Sequence, residues 1–400
     1  SHPHYGLAKL LAALGVSRAD VMPLGQPAPH LAARARLANE ALRPAASTGA
    51  WATLRADAGM GDSRDALDGV TLLTATHERE EAQAIAVALR ETIETPGATA
   101  ALVTPDRGLA RRVALELTRF GLEVDDSAGR PLANSPAGTF ARLVANVLAD
   151  PTDSIGLLAL LKHRHARFGL SAAAHAEAVT VIEIGALRGR RLTGGLDSLL
   201  AALDAKRAAV DMTGGGERPR PAVKRLTPRA WALGRDLAGR LSAVFGSDGT
   251  PTDLAGAHAR HLLAVRRAAM NDQGSDRHLF SGDDGEALAA LLIGLSDALT
   301  APQANFTLDT RDHAALFEAV LAGASVRRKR HDEPRVFIWG PLEARLQRVD
   351  RLVLGGLNEG IWPATTRADP WLSRPMRADL ALASPERRIG LAAHDFAQAF

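Results

Sequence analysis

The chain has 400 residues, 46% hydrophobic, 23% charged and 4% aromatic; at about 150 residues per domain this gives two or three globular domains with an ample core. The absence of cysteine excludes a disulfide scaffold, a thiol nucleophile, a thiolate-bound zinc and an iron–sulfur cluster held by these residues. No apolar run reaches the roughly 18 residues of a membrane span and nothing at the start reads as a signal peptide, so a cytoplasmic protein with no membrane partner is expected.

Residues 1–67 read as helices with irregular connectors: Leu7, Leu10, Leu11 and Leu14 share one helical face, and Leu31 to Leu42 give a second helix. From Asp68 the period changes. Val70-Thr71-Leu72-Leu73-Thr74-Ala75 predicts a buried strand, followed by a helix capped by Thr76 with Glu78, Glu80 and Glu81 in its first turn. Thr99-Ala100-Ala101-Leu102-Val103 predicts a second strand, ending at the cap Thr104-Pro105-Asp106 before a helix carrying Leu109, Val113 and Leu117. Strand, helix, strand, helix is a βαβ unit with a parallel sheet. Residues 136–163 read as two further helices, split at Asp150-Pro151, and 164–333 as Ala/Leu-rich helices broken by glycine-rich connectors. Strand signals return at Arg335-Val336-Phe337-Ile338-Trp339 and Arg351-Leu352-Val353-Leu354. The simplest organisation is one α/β domain, residues 68–163 and 334–400, interrupted by a helical insertion at 164–333 and preceded by a helical segment at 1–67. The chain opens without methionine at Ser1 and stops at Phe400 inside a helical run, so an internal fragment of a longer protein is expected.

Several chemistries find no support. A P-loop requires Gly-Lys-Ser/Thr, and none of the five lysines (Lys9, Lys162, Lys206, Lys224, Lys329) follows a glycine. The one formal match to a metal-dependent nuclease motif, Asp204-Ala205-Lys206, lies in a helical pattern among Leu199, Leu200 and Leu203 and is expected on a solvated helix surface. No Gly-x-Ser-x-Gly elbow occurs. His258 and His261 are one helical turn apart, and His163 and His165 flank Arg164; zinc needs further ligands, for which Asp253 is a loose candidate, so surface histidines on basic helices are expected.

Charge is the remaining signal. Net charge is only +3, but 43 of the 48 basic residues are arginine, a bias that a GC-rich genome also produces. Basic clusters occur at Lys162-His163-Arg164-His165-Arg167, Arg188-Arg190-Arg191, Arg218-Arg220-Lys224-Arg225 and Arg327-Arg328-Lys329-Arg330. Each has the composition of a phosphate-contacting patch and equally of a solvating face. Arg164, Arg167, Arg190, Arg191, Arg327 and Arg328 are the DNA-binding candidates.

The most specific stretch runs from Val336-Phe337-Ile338-Trp339-Gly340-Pro341-Leu342-Glu343-Ala344-Arg345-Leu346 through Asp350 to Leu352-Val353-Leu354-Gly355-Gly356-Leu357-Asn358-Glu359-Gly360-Ile361-Trp362-Pro363. It resembles the last motifs of UvrD-like superfamily 1 helicases, and its Leu-Glu-Ala-Arg and Leu-Asn-Glu-Gly-Ile-Trp-Pro elements are most similar to AddB-type subunits of AddAB helicase–nucleases, in their alphaproteobacterial form. The segments around His2-Pro3, Thr71 to Glu81, Ala101 to Pro105, Gly121 to Val124 and Pro151 to Asp153 are similar to the same family. The resemblance implies a second RecA-like α/β domain with a large helical insertion. It also implies a nucleotide-cleft remnant at Arg345, Glu359, Arg387 and Arg388, and turn geometry at Gly356, Gly360 and Pro363. Arg345-Leu346-Gln347-Arg348 stands where active helicases carry Lys-Gly-Leu-Glu, and the region after Arg387-Arg388 lacks their Thr-Arg-Ala pattern, which suggests the fold without the motor. The implied protein is part of an ATP-dependent double-strand-break-processing enzyme. An AddA-type partner would drive it on single-stranded and broken double-stranded DNA, and this subunit would channel the single strand and scan it for recombination hotspots. No cofactor is expected within this segment; magnesium and an iron–sulfur cluster would belong to a nuclease domain beyond Phe400. Two alternatives stay open: a UvrD-type helicase lacking its P-loop domain here, and an assembly scaffold that touches no DNA.

Overall fold

A computed structural model describes residues 5–22, 24–26, 28–52, 66–188, 194–211, 221–246, 253–300, 308, 310–327, 334–366 and 368–400. The chain forms two compact units, Ser1–Ala128 with Arg330–Phe400, and Gly129–Lys329.

The first unit is α/β. After the helices Tyr5–Leu14, Pro29–Ala41 and Glu78–Ile93 come β1 (Ala100–Val103), the helix Arg107–Arg119 and β2 (Asp125–Asp126). The chain leaves this unit, passes through β3 (Arg130–Pro131) and β4 (Ser325–Val326), and returns as β5 (Val336–Trp339) and β6 (Arg351–Leu354). The sheet order is β2-β5-β1-β6, all parallel, with Leu102 between Ile338 and Val353. Every residue of β1 is buried, as a strand covered on both faces requires. Ala100, Leu102, Val336 and Ile338 meet Ile85, Leu89, Leu109, Val113 and Leu117 of the two flanking helices. Ala101, Val103 and Trp339 face the opposite way, onto Trp362, with Leu354, Ala392 and Phe396 at the margin.

Residues 70–75 correct the sequence reading. They take no part in the sheet, and Leu72 and Leu73 are 86% and 61% exposed. A β-branched run becomes a strand only when an edge accepts its hydrogen bonds, and among the described residues β6 pairs only with β1. The caps also differ from expectation. His77, not Thr76, caps the helix from Glu78, its Nδ1 accepting from Glu80 N at 3.1 Å. Asp106, not Thr104, caps the next, its Oδ1 accepting from Gly108 N at 2.7 Å.

The second unit is helical, apart from β3 and β4, which pair antiparallel through Arg130 and Val326 and set the two ends of the segment side by side. Its central helix, Pro136–Ala149, buries one broad face, including Phe140, Ala141, Val144 and Val147, and leaves Asn146 exposed. Ser154–Leu161, Leu254–Ala269, Gly282–Ala298 and Thr310–Ala322 pack around it. A second pair, Ala172–Ile182 and Pro228–Phe245, crosses closely at Gly234, where a Cβ would sit 2.6 Å from Val181 Cγ1. The insertion therefore starts at 129 rather than 164: Phe140, Val144, Leu157, Leu160 and Leu161 share one core with Val181, Leu237 and Phe317. Among the described residues no helix is long and apolar enough to cross a membrane.

Candidate functional site

The carboxyl ends of β1, β5 and β6 release the loops 104–106, 340–350 and 355–363, on the edge of a parallel sheet where α/β proteins place their sites. The loop after β6 is fastened at both ends. Gly355 N donates to Val103 O at 3.0 Å, and Gly356 N donates to Glu81 Oε1 at 2.8 Å. At the far end Trp362, followed by a cis peptide to Pro363, donates from Nε1 to Ala392 O at 3.1 Å and meets the Phe396 ring edge-on. Gly356 and Gly360 have φ of +74° and +80°, a region costly for other residues. Between the anchors Leu357, Asn358 and Glu359 are exposed.

No hydrogen bond or ion pair joins the four cleft-remnant positions to one another. Arg345 is held by Asp395, Nε donating to Oδ1 at 2.8 Å. Glu359 stands exposed on the loop tip, and Arg387 and Arg388 lie exposed at the start of the helix Arg387–Ala399. A cleft of about 420 Å³ opens over the sheet face, lined by Thr99, Asp125, Ser127, Phe337, Trp339 and Arg348 among others. Ser127 Oγ is buried there without a hydrogen-bond partner.

In the helical unit, internal pairing neutralises two cations of the basic clusters, Lys162 and Arg188. Glu183 lies 2.5 Å from Lys162 Nζ and 2.7 Å from Arg188 Nη2, and both cations hold its carboxyl below the usual carboxylate range. Arg167 Nη1 donates to the carbonyls of Arg164 and Ala166 at 3.0 and 2.7 Å. His163 and His165 turn inward beside Phe140, with ring centroids at 5.3 and 6.0 Å. Burial lowers both pKa values, His165 to about 4, and Arg164 adds to the effect. Of the cluster only Arg164 remains an exposed cation with no acidic partner among the described residues, and Arg327 is a second such cation. Arg190, Arg191 and Arg328 lie outside the described residues. Asp204 is paired with Arg235, on a helix, away from any strand.

Two features escaped the sequence reading. His258 and His261 are not surface residues; both are buried, and His313 joins them. Burial lowers all three pKa values, His261 to about 3 and His313 to about 4, so their imidazoles are neutral at pH 7. The second is Trp371, 87% exposed on a loop where its backbone N–H is fixed by Asp369 Oδ1 at 2.9 Å. Its position between Asp369-Pro370 and Leu372-Ser373 was the available sign of a displayed ring. No protein-family model matches this chain, and no curated protein matches its sequence.

Proposed function

We propose that this chain is the helicase-like part of an AddB-type subunit of a cytoplasmic, ATP-dependent double-strand-break-processing helicase–nuclease. In this reading the α/β unit is a second RecA-like domain with a helical insertion. It guides single-stranded DNA delivered by an AddA-type motor, in a position to scan it for hotspot sequences, and turns over no nucleotide itself.

The observation that carries the reading is the clasped segment from β5 to Pro363: two strands flanking β1 in a parallel sheet, joined by a charged turn and followed by the doubly anchored glycine loop. Its sequence is the stretch that resembles the family. Two residue observations support a reading without a motor. The chain has no Gly-Lys-Ser/Thr, and Arg345, one cation of the cleft remnant, is occupied by Asp395. DNA contact would fall to arginines with no acidic partner among the described residues, Arg164 and Arg327 among them, through phosphate attraction, and to Trp371 through base stacking. An iron–sulfur cluster has no thiolate ligand in a chain without cysteine, so no step here runs through one.

Fluorescence anisotropy with single-stranded and duplex oligonucleotides, alongside an ATP hydrolysis assay, tests the proposal. Preferential single-strand binding without hydrolysis is the expected result. Hydrolysis by the chain would contradict the reading, and a folded chain with no DNA affinity would favour the scaffold.

A further inference from the structure

The geometry points to a transition-metal site of the zinc class in the helical unit, built from His258, His261 and His313. His258 and His261 project from one turn of the helix Leu254–Ala269 and His313 from the helix Thr310–Ala322. One ring nitrogen from each lies within 4.8 Å of the others. Bonds of about 2.0–2.1 Å to a tetrahedral ion place ligand nitrogens roughly 3.3 Å apart, so small ring rotations close the set.

The hydrogen bonds around the cluster have the form that metal-bound histidines use. His261 Nε2 lies 2.9 Å from Ala141 O, and His258 Nε2 lies 3.1 Å from Leu292 O. A carbonyl only accepts, so each Nε2 carries the proton and each Nδ1 presents a lone pair. This is the arrangement by which a backbone carbonyl orients a metal-bound imidazole through its other nitrogen. The Nδ1 of His261 is buried without any hydrogen-bond partner, in a residue with 0% exposure, which leaves a strong donor atom unused. Three neutral imidazoles with no thiolate suit zinc, cobalt, nickel or copper rather than magnesium or calcium. His313, at 5% exposure, is the least buried of the three, so an ion and a fourth, water ligand would enter from its side. Bound metal would tie two helices separated by 40 residues of sequence to the central helix that carries Ala141.

The site is independent of the proposed function and is tested on the whole chain after chelation and dialysis. Titration with cobalt(II) is expected to give one equivalent with the visible d–d bands of tetrahedral nitrogen ligation, displaced by zinc. Zinc is expected to raise the melting temperature. His313→Gln, at the least buried ligand, is expected to weaken binding about tenfold or more while leaving the metal-free melting temperature near the parent's. Imidazole nitrogen NMR of the parent chain is a readout independent of any variant: zinc is expected to shift the Nδ1 signals of His258 and His261. A folded parent chain with no stoichiometric cobalt binding would overturn the proposal. So would binding that His313→Gln and His261→Gln both retain, since the ion would then sit on other histidines.

Discussion

The guanidinium of Arg345 closes on a single oxygen of Asp395, with Nε at 2.8 Å and Nη2 at 2.6 Å from Oδ1. The pair ties the turn after β5 to the helix Arg387–Ala399, where Trp362 also anchors. An arginine held in this way serves packing and is not free for a phosphate. Arg345→Gln is therefore expected to cost about 1–3 kcal/mol, the range for a hydrogen bond to a charged group left unmade, by urea unfolding. Oligonucleotide affinity should stay within about twofold of the parent, a change below 0.5 kcal/mol. A loss of affinity without a loss of stability would reverse that assignment.

Stability of the helical unit is expected to depend on pH through His165 and His175. Burial pushes both down to about 4, while in the unfolded chain they return to about 6.5. Between those values the unfolded chain binds more protons. Stability is thus full above about pH 6.5 and is lost as pH falls toward 4. Thermal unfolding by circular dichroism between pH 7.5 and 4.5 should show the midpoint falling steadily; a flat profile would mean that the two rings are solvated.

At the crossing of Ala172–Ile182 with Pro228–Phe245, a Cβ on Gly234 would lie 2.6 Å from Cγ1 and 2.9 Å from Cβ of Val181. Gly234→Ala is expected to destabilise by about 1–3 kcal/mol, as overpacking does. Adding Val181→Ala should recover part of the loss, so a double-mutant cycle should show strong coupling. Simple additivity would contradict the close crossing.

Aromatic residues are scarce, and Trp371 is one of five tryptophans. With 87% of its surface exposed, it adds little to the core. Trp371→Ala should leave the melting temperature unchanged and weaken single-strand binding by the 1–3 kcal/mol per base, about 5- to 150-fold, that stacking supplies. Unchanged affinity would remove Trp371 from the interface.

Much of the sheet was legible because its strands are short apolar runs bounded by turns. Ala100–Val103, Val336–Trp339 and Arg351–Leu354 lie where the pattern puts them. The run 70–75 has the same composition but joins no edge, although β6 leaves one open among the described residues, and composition cannot report where a strand docks. The insertion boundary was misplaced because Pro136–Ala149 looks the same whether it covers a sheet or centres a bundle; its contacts with residues some 170 positions later decide.

The buried histidines are the instructive miss. His258 and His261 fall on the same helical stripe as Leu254, Ala257, Ala264, Val265 and Ala268, all buried, so periodicity alone places them inside. A reading that took charge before spacing put them on the surface. His313 had no local signal, since only the fold brings it to them. The basic clusters misled in the complementary way: Glu183, some 20 residues from Lys162, is the partner that neutralises it.

The central claim is that Arg164 and Arg327, which have no acidic partner among the described residues, hold the phosphates of single-stranded DNA, and a salt series on charge-reversed variants tests it most directly. Affinity of the parent for a single-stranded oligonucleotide should fall steeply as salt rises. Arg164→Glu and Arg327→Glu should each flatten the log–log slope by about 0.7, the value for one single-strand phosphate contact. Lys162→Ala, whose cation is already held by Glu183, should leave the slope unchanged. A folded parent chain that binds no single strand at low salt, or slopes indifferent to both reversals, would contradict the account.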